Sequence, residues 1–157
     1  MYVFIAIEIG SRRILHVNVT DHRTADWTCQ QFREFVDGQS GHRYVVHDRD
    51  AIFSAKVDEG LSGFGLSVLK TPVRSPMANA HCERAIGTIR RECLDYMIPI
   101  NERHLKRIVR EFATYYNRGR PHSALGPGLP EPNQPLSRKT LIDIYWHPAT
   151  ESPRLRC

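Results

Sequence analysis

The sequence lacks the features of several protein classes. Its four cysteines show neither CxxC pairing nor the spacing of zinc ligands, which predicts reduced thiols rather than a disulfide framework or a zinc site. No window approaches the roughly eighteen apolar residues of a membrane span. The N-terminus reaches Glu8 without the basic region of a secretory signal. These absences predict a cytoplasmic protein with no membrane partner.

The composition is that of one globular domain. The chain has 157 residues, of which 41% are apolar and 25% are charged. The net charge is +5 and unevenly spread, because residues 79–120 carry nine basic and five acidic side chains while residues 1–40 carry four and five. A basic segment of this kind is typical of a polyanion-binding face, although it also fits a solvated helix surface.

Hydrophobic periodicity predicts a mixed α/β domain with a hairpin at its start. The predicted strands are Tyr2–Ile9, Arg12–Thr20, Arg43–His47 and Leu66–Leu69. The predicted helices are Ala25–Phe35 after a Thr24 cap, Ala55–Leu61, Asn79–Met97, and one that begins after an Asn101 cap. The proline- and glycine-rich stretch beyond Asn117 predicts irregular structure, and only Leu141–Trp146 is apolar in the last part.

The stretch "YVVHDRDAIF" is a short apolar strand that ends in two carboxylates, Asp48 and Asp50. A third carboxylate, Glu83, lies in the first turns of the predicted helix Asn79–Met97, one residue away from its apolar stripe. A solvated β-turn explains the first pair without any function. A favourable interaction with the helix dipole explains the isolated Glu83 equally well.

Four motifs together resemble the integrase core of insertion-sequence transposases, which are related to retroviral integrases. They are "YVFIAIEIGSRRILHVNVT", "HDRDAIFS", "TPVRSPMANAHCERAIGTIRRECLD" and "YYNRGRPHSALG". The resemblance implies a ribonuclease-H-like fold in which two Asp and one Glu hold two divalent metal ions for phosphodiester cleavage and strand transfer on DNA. It covers residues 2 to about 130, so we predict a catalytic core over 1–130 and a proline-rich extension and tail over 131–157.

The resemblance assigns roles to individual residues. Asp48 and Glu83, which are 35 positions apart, match the second Asp and the Glu and would hold Mg²⁺ or Mn²⁺. Asp50 fits a turn or capping residue better, with a supporting role still open. The residues expected to contact DNA are Arg49, Arg84, Arg90 and Arg91, and those expected to support the site are Asn79 and Gly87.

The sequence departs from the family at the first Asp, which would lie on a strand upstream of Tyr2. Glu8 does not replace it, because Glu8 aligns with a later acid of the hairpin. We therefore expect a truncated core that lacks the family's central strand and is weak or inactive alone. The alternatives are a non-catalytic remnant that binds DNA or an intact transposase, and a hydrolase of another ribonuclease-H-like kind. Resemblance alone suggests a homo-oligomer associated with the nucleoid.

Overall fold

A computed structural model describes residues 1–36, 41–47, 50–70, 80–126, 128–130 and 141–148. The strands are β1 (Tyr2–Glu8), β2 (Ile14–Thr20), β3 (Tyr44–His47), β4 (Ser67–Lys70) and β5 (Leu141–Pro148). The helices are α1 (Ala25–Phe35), α2 (Ala55–Gly63), α3 (Ala80–Glu92) and α4 (Glu102–Arg118), with short 3₁₀ turns at Leu94–Tyr96 and Ser123–Leu125. No helix in these ranges is long and apolar enough to span a membrane.

The five strands form one mixed sheet in the order β2-β1-β5-β3-β4. The hairpin strands β1 and β2 are antiparallel, and β1 is also antiparallel to β5. On its other side β5 runs parallel to β3, which in turn is parallel to β4. Among the described strands, β5 thus joins the hairpin to the parallel pair, and it follows the other four in the sequence.

Strand β5 occupies the place between β1 and β3 where the sequence predicted a gap. The backbone groups that a missing central strand would leave unpaired bond to residues 141–148 instead. Burial of aromatic side chains between β1 and β5 favours this arrangement. The centroid of the Trp146 ring lies 5.3 Å from that of the Phe4 ring. A boundary at residue 130 therefore separates segments that share one sheet, and residues 141–148 are not a tail.

Alternation along the strands divides the apolar core into two layers. Phe4 and Ala6 of β1 pack with Ile142, Ile144 and Trp146 of β5 against helices α1 and α2. The opposite face of β1, with Val3, Ile5 and Ile7, packs against α3 and α4. Each layer covers one face of the sheet, as expected of an α/β domain.

Two helices have the predicted N-cap residues, whereas the C-terminal end of one helix differs from the prediction. The Thr24 hydroxyl accepts a hydrogen bond from Trp27 N–H, and the Asn101 side chain accepts one from His104 N–H. Helix α3 ends at Glu92, so the predicted extension to Met97 is wrong. Pro99 disfavours helical backbone at Ile98, and the chain turns through Leu94–Tyr96 into an extended conformation at Met97, which is half-exposed.

Candidate functional site

A buried carboxylate lies in the middle of the sheet. Asp143 of β5 is paired with Ile7 of β1 on one side and with Val46 of β3 on the other. Its side chain has no solvent exposure, and its Oδ2 atom accepts a hydrogen bond from the Cys82 N–H at 3.3 Å. Because Cys82 is in the first turn of α3, the carboxylate faces the positive end of that helix.

Glu83 follows Cys82 in the same turn of α3, and its side chain is exposed. The first turn of α3 therefore binds Asp143 through the N–H of Cys82, and the next residue of that turn is Glu83. Asp48, Arg49 and Asn79 fall outside the described residues. Within the described residues, no three His, Cys, Asp or Glu side chains form a group suited to a metal ion.

The residues around the end of β3 have structural partners. Asp50 accepts a hydrogen bond from Ile52 N–H at 3.0 Å and pairs with Arg23 at 2.6 Å, as expected of a turn residue. His47 is fully buried, stacks on the Phe53 ring at 4.4 Å and contacts Asp58 at 3.0 Å. These contacts hold residues 50–58 against Arg23, just before α1, and against the end of β3.

The arginines of α3 divide into two groups. The Arg90 Nε lies 3.2 Å from a carboxylate oxygen of Asp95 in the following 3₁₀ turn. Arg84 and Arg91 instead line a cavity between α3 and the segment after α4. A Cβ atom placed on Gly87 would lie 3.0 Å from a terminal nitrogen of Arg91, so the glycine leaves space for that guanidinium to fold along the helix.

Comparisons with known proteins agree with this architecture. Residues 65–130 match the family model described as integrase core domain. The sequence resemblance to an integrase core is confirmed. The fold is similar to that of the catalytic core domain of BIV integrase, with 15% identity, a TM-score of 0.62, and coverage of 82% of this chain and 81% of that chain. No curated protein matches the sequence.

The matches bear on different parts of the prediction. The structural similarity shows the ribonuclease-H-like fold, and the two matches together support an integrase-type function in nucleic-acid processing. The matched family region contains α3 and Glu83 but neither Asp48 nor Asp143. The family match therefore carries no information about Asp48 or Asp143.

Sequence reasoning missed Asp143, although the sequence carries a signal for it. The segment "LIDIYW" places one carboxylate inside an apolar run, much as "YVVHD" does at the end of β3. A single acid in a buried strand requires a partner, and this indicates a functional or capping role. Its neighbours could not be read from the sequence, because β5 is far from both β1 and β3 along the chain.

Proposed function

We propose that this chain is the catalytic core of a DNA transposase or integrase, which cleaves phosphodiester bonds and transfers DNA strands by in-line transesterification. The observation that carries the proposal is the position of Asp143. It lies on the central strand, beside the strand that leads to Asp48 and against the helix start that carries Glu83.

The proposed site contains three carboxylates, Asp143, Asp48 and Glu83. Val46 is the neighbour of Asp143 across the parallel pair, and Asp48 follows Val46 by two residues in the sequence. Asp143 would then replace the family's first Asp, although it comes from the C-terminal strand. This proposal revises the expectation of a site with only two carboxylates.

The donor chemistry fits a hard divalent cation. Carboxylate oxygens suit Mg²⁺ or Mn²⁺, and the buried Cys82 thiol of the same helix turn does not compete for such ions. Two bound ions would supply activation of the attacking oxygen and stabilisation of the leaving 3′ oxygen. The Cys82 N–H would fix one oxygen of Asp143, and this contact orients the carboxylate between the sheet and α3.

DNA is the proposed partner, held by cationic side chains near the carboxylates. Arg84 and Arg91 extend from the same helix as Glu83, and Arg49 follows Asp48 directly in the sequence. Arg90 would need to leave Asp95 to reach a phosphate. Such contacts position a strand without reading its sequence. We further propose a cytoplasmic, nucleoid-associated protein that acts as a homo-oligomer.

The test compares metal affinity in four proteins, the wild type and the variants Asp48→Asn, Glu83→Gln and Asp143→Asn. Each substitution keeps the shape of the side chain and removes its charge. We expect each to weaken Mn²⁺ binding by about tenfold or more in calorimetric titrations, and to abolish Mn²⁺-dependent cleavage of a DNA duplex. Urea unfolding of each variant establishes that the fold is retained.

The matched control is Asp26→Asn, an exposed carboxylate on α1 that pairs only at the surface with Lys56. It should bind Mn²⁺ as the wild type does. If Asp143→Asn also binds Mn²⁺ normally while the other two variants do not, Asp143 is a capping residue of α3 and the site has two carboxylates. If none of the three variants changes the affinity, the assignment of the site is wrong.

A non-catalytic DNA-binding protein is the second candidate, because Asp143 has no solvent exposure in this structure. A carboxylate that stays buried would stabilise α3 without binding a metal ion. This reading predicts DNA binding that is the same with Mn²⁺ and with EDTA. It also predicts no strand cleavage, no joining of ends and no hydrolysis of RNA–DNA hybrids.

A further inference from the structure

A cationic cavity of about 350 Å³ lies next to the proposed carboxylate site. It is enclosed by β1, the hairpin turn, α3, the end of α4 and the segment after α4. The charged and imidazole side chains on its wall are Arg12, His81, Arg84, Arg91, Arg120 and His122. Ile7, which is paired with Asp143, also lines it, so the cavity and the carboxylate are neighbours.

The positive charge of the cavity exceeds the negative charge around it. Arg120 forms a two-pronged ion pair with Glu92, with distances of 2.7 and 2.9 Å. Among the described residues, no carboxylate forms an ion pair with Arg12, Arg84 or Arg91. Three guanidinium groups on the wall of one cavity, none of them paired with a described carboxylate, are suited to bind an anion.

The backbone of Arg12 is held in an unfavourable conformation that brings its side chain to the cavity. Arg12 has a φ of 65°, in the left-handed region, and is the one described residue other than glycine with a positive φ. Its Nη1 contacts Nδ1 of His81, so the side chain crosses from the hairpin turn to α3. The side chain of Glu8, which precedes the hairpin turn, contacts Ser11 and His42. Strain of this kind is retained where it serves a site.

The imidazoles add hydrogen-bonding capacity to the wall of the cavity. Nε2 of His122 is buried and has no hydrogen-bond partner within the part of the chain that the structure describes. Burial, together with the charge of Arg120, lowers the pKa of His122. An anion bound in the cavity would favour the protonated ring, whose Nε2–H could then donate a hydrogen bond to it.

We propose that this cavity binds the terminal 5′-phosphate of a DNA strand. A terminal phosphate is close to a dianion and matches three guanidinium groups that pair with no described carboxylate better than a monoanionic phosphodiester does. The site is a recess rather than a flat surface, so it admits a strand end more easily than the middle of a duplex. The proposal rests on the proposed function, because the cavity adjoins Asp143 and would hold an end beside the reacting carboxylates.

The experiment compares two DNA duplexes that differ only in a 5′-phosphate or a 5′-hydroxyl group on a short 5′ overhang. Affinities are measured by fluorescence anisotropy in EDTA, so that no metal ion or cleavage is involved. We expect the wild type to bind the phosphorylated end about five- to tenfold more tightly. Arg12→Asn, which suits the left-handed backbone, and Arg84→Gln should each bring that ratio close to one.

The matched control is Arg107→Gln on the exposed side of α4, away from the cavity. It should keep the preference for the phosphorylated end even if overall affinity falls slightly. Equal binding of the two duplexes by the wild type would overturn the proposal and leave DNA binding intact. A preference that survives in both cavity variants would overturn it as well.

Inorganic phosphate distinguishes a DNA end from a free anion. If the site serves strand ends, millimolar phosphate should compete with the 5′-phosphorylated duplex in the wild type and not in Arg12→Asn. If phosphate raises the thermal midpoint of the wild type while neither duplex binds, the cavity is a small-anion site and the assignment to DNA is wrong. In that case the proposed function fails too, whereas equal binding of both duplexes rejects only the end-binding role.

Discussion

At the scale of single residues, Asn117 joins α4 to the edge of the sheet. Its Oδ1 accepts a hydrogen bond from Ile14 N–H and its Nδ2 donates one to Ile14 C=O, both at 2.9 Å. The side-chain amide thus satisfies the backbone of an edge strand as a neighbouring strand would. Ile14 itself is buried, so water cannot easily replace these bonds.

We expect Asn117→Ala to lower the free energy of unfolding by about 2 kcal/mol, because it leaves two buried backbone groups of Ile14 without partners. Urea unfolding followed by circular dichroism measures this loss. Thr114→Ala on the exposed side of the same helix is the control and should change stability by less than about 0.5 kcal/mol. Equal effects of the two substitutions would mean that water replaces the amide.

At the scale of elements, β5 is the central strand of the sheet, because it is hydrogen-bonded to a neighbouring strand on each side. A proline in a central strand removes a ladder hydrogen bond and disturbs the backbone. We expect Ile144→Pro to lower the free energy of unfolding by about 3 kcal/mol or more, or to prevent folding. Its far-ultraviolet circular dichroism and urea midpoint report this directly.

A proline control separates the effect of position from that of proline itself. Glu102 is the first residue of α4 after the Asn101 cap, where proline is well tolerated. Glu102→Pro should therefore leave the urea midpoint nearly unchanged. A stable, cooperatively folded Ile144→Pro protein would contradict the central position of β5 and the proposed role of Asp143 with it.

Local sequence signals predicted most helices and strands, whereas the pairing of strands distant in the sequence could not be predicted. The Thr24 and Asn101 caps and the hairpin could be read from the sequence because each depends on residues a few positions apart. The apolar run Leu141–Trp146 was visible, but nothing local states which strands it joins. The contacts of Asp143 depend on that pairing, so Asp143 could not be assigned to the candidate site from the sequence, and the role of Glu83 stays a prediction.

At the scale of the whole molecule, burial of histidines makes stability depend on pH. Burial is the main cause of a lowered pKa at His16 on β2 and at His81 and His122, which both line the cationic cavity. At His16, Gln31 and Glu34 oppose the lowering while Arg110 and Lys106 add to it. In the unfolded chain these imidazoles regain their ordinary pKa, so they take up protons there first as the pH falls.

We therefore expect the free energy of unfolding to be retained above about pH 7 and to fall as the pH is lowered towards about 5. The carboxyl of Glu92 does not account for this window, because its hydrogen bonds with Arg120 lower its pKa and it titrates at more acidic pH. Urea midpoints measured across the window give the slope. His16→Gln should make it shallower, whereas His22→Gln, at an exposed turn, should not. A midpoint that stays constant over this range would show that the buried imidazoles are protonated as easily in the folded chain as in the unfolded one.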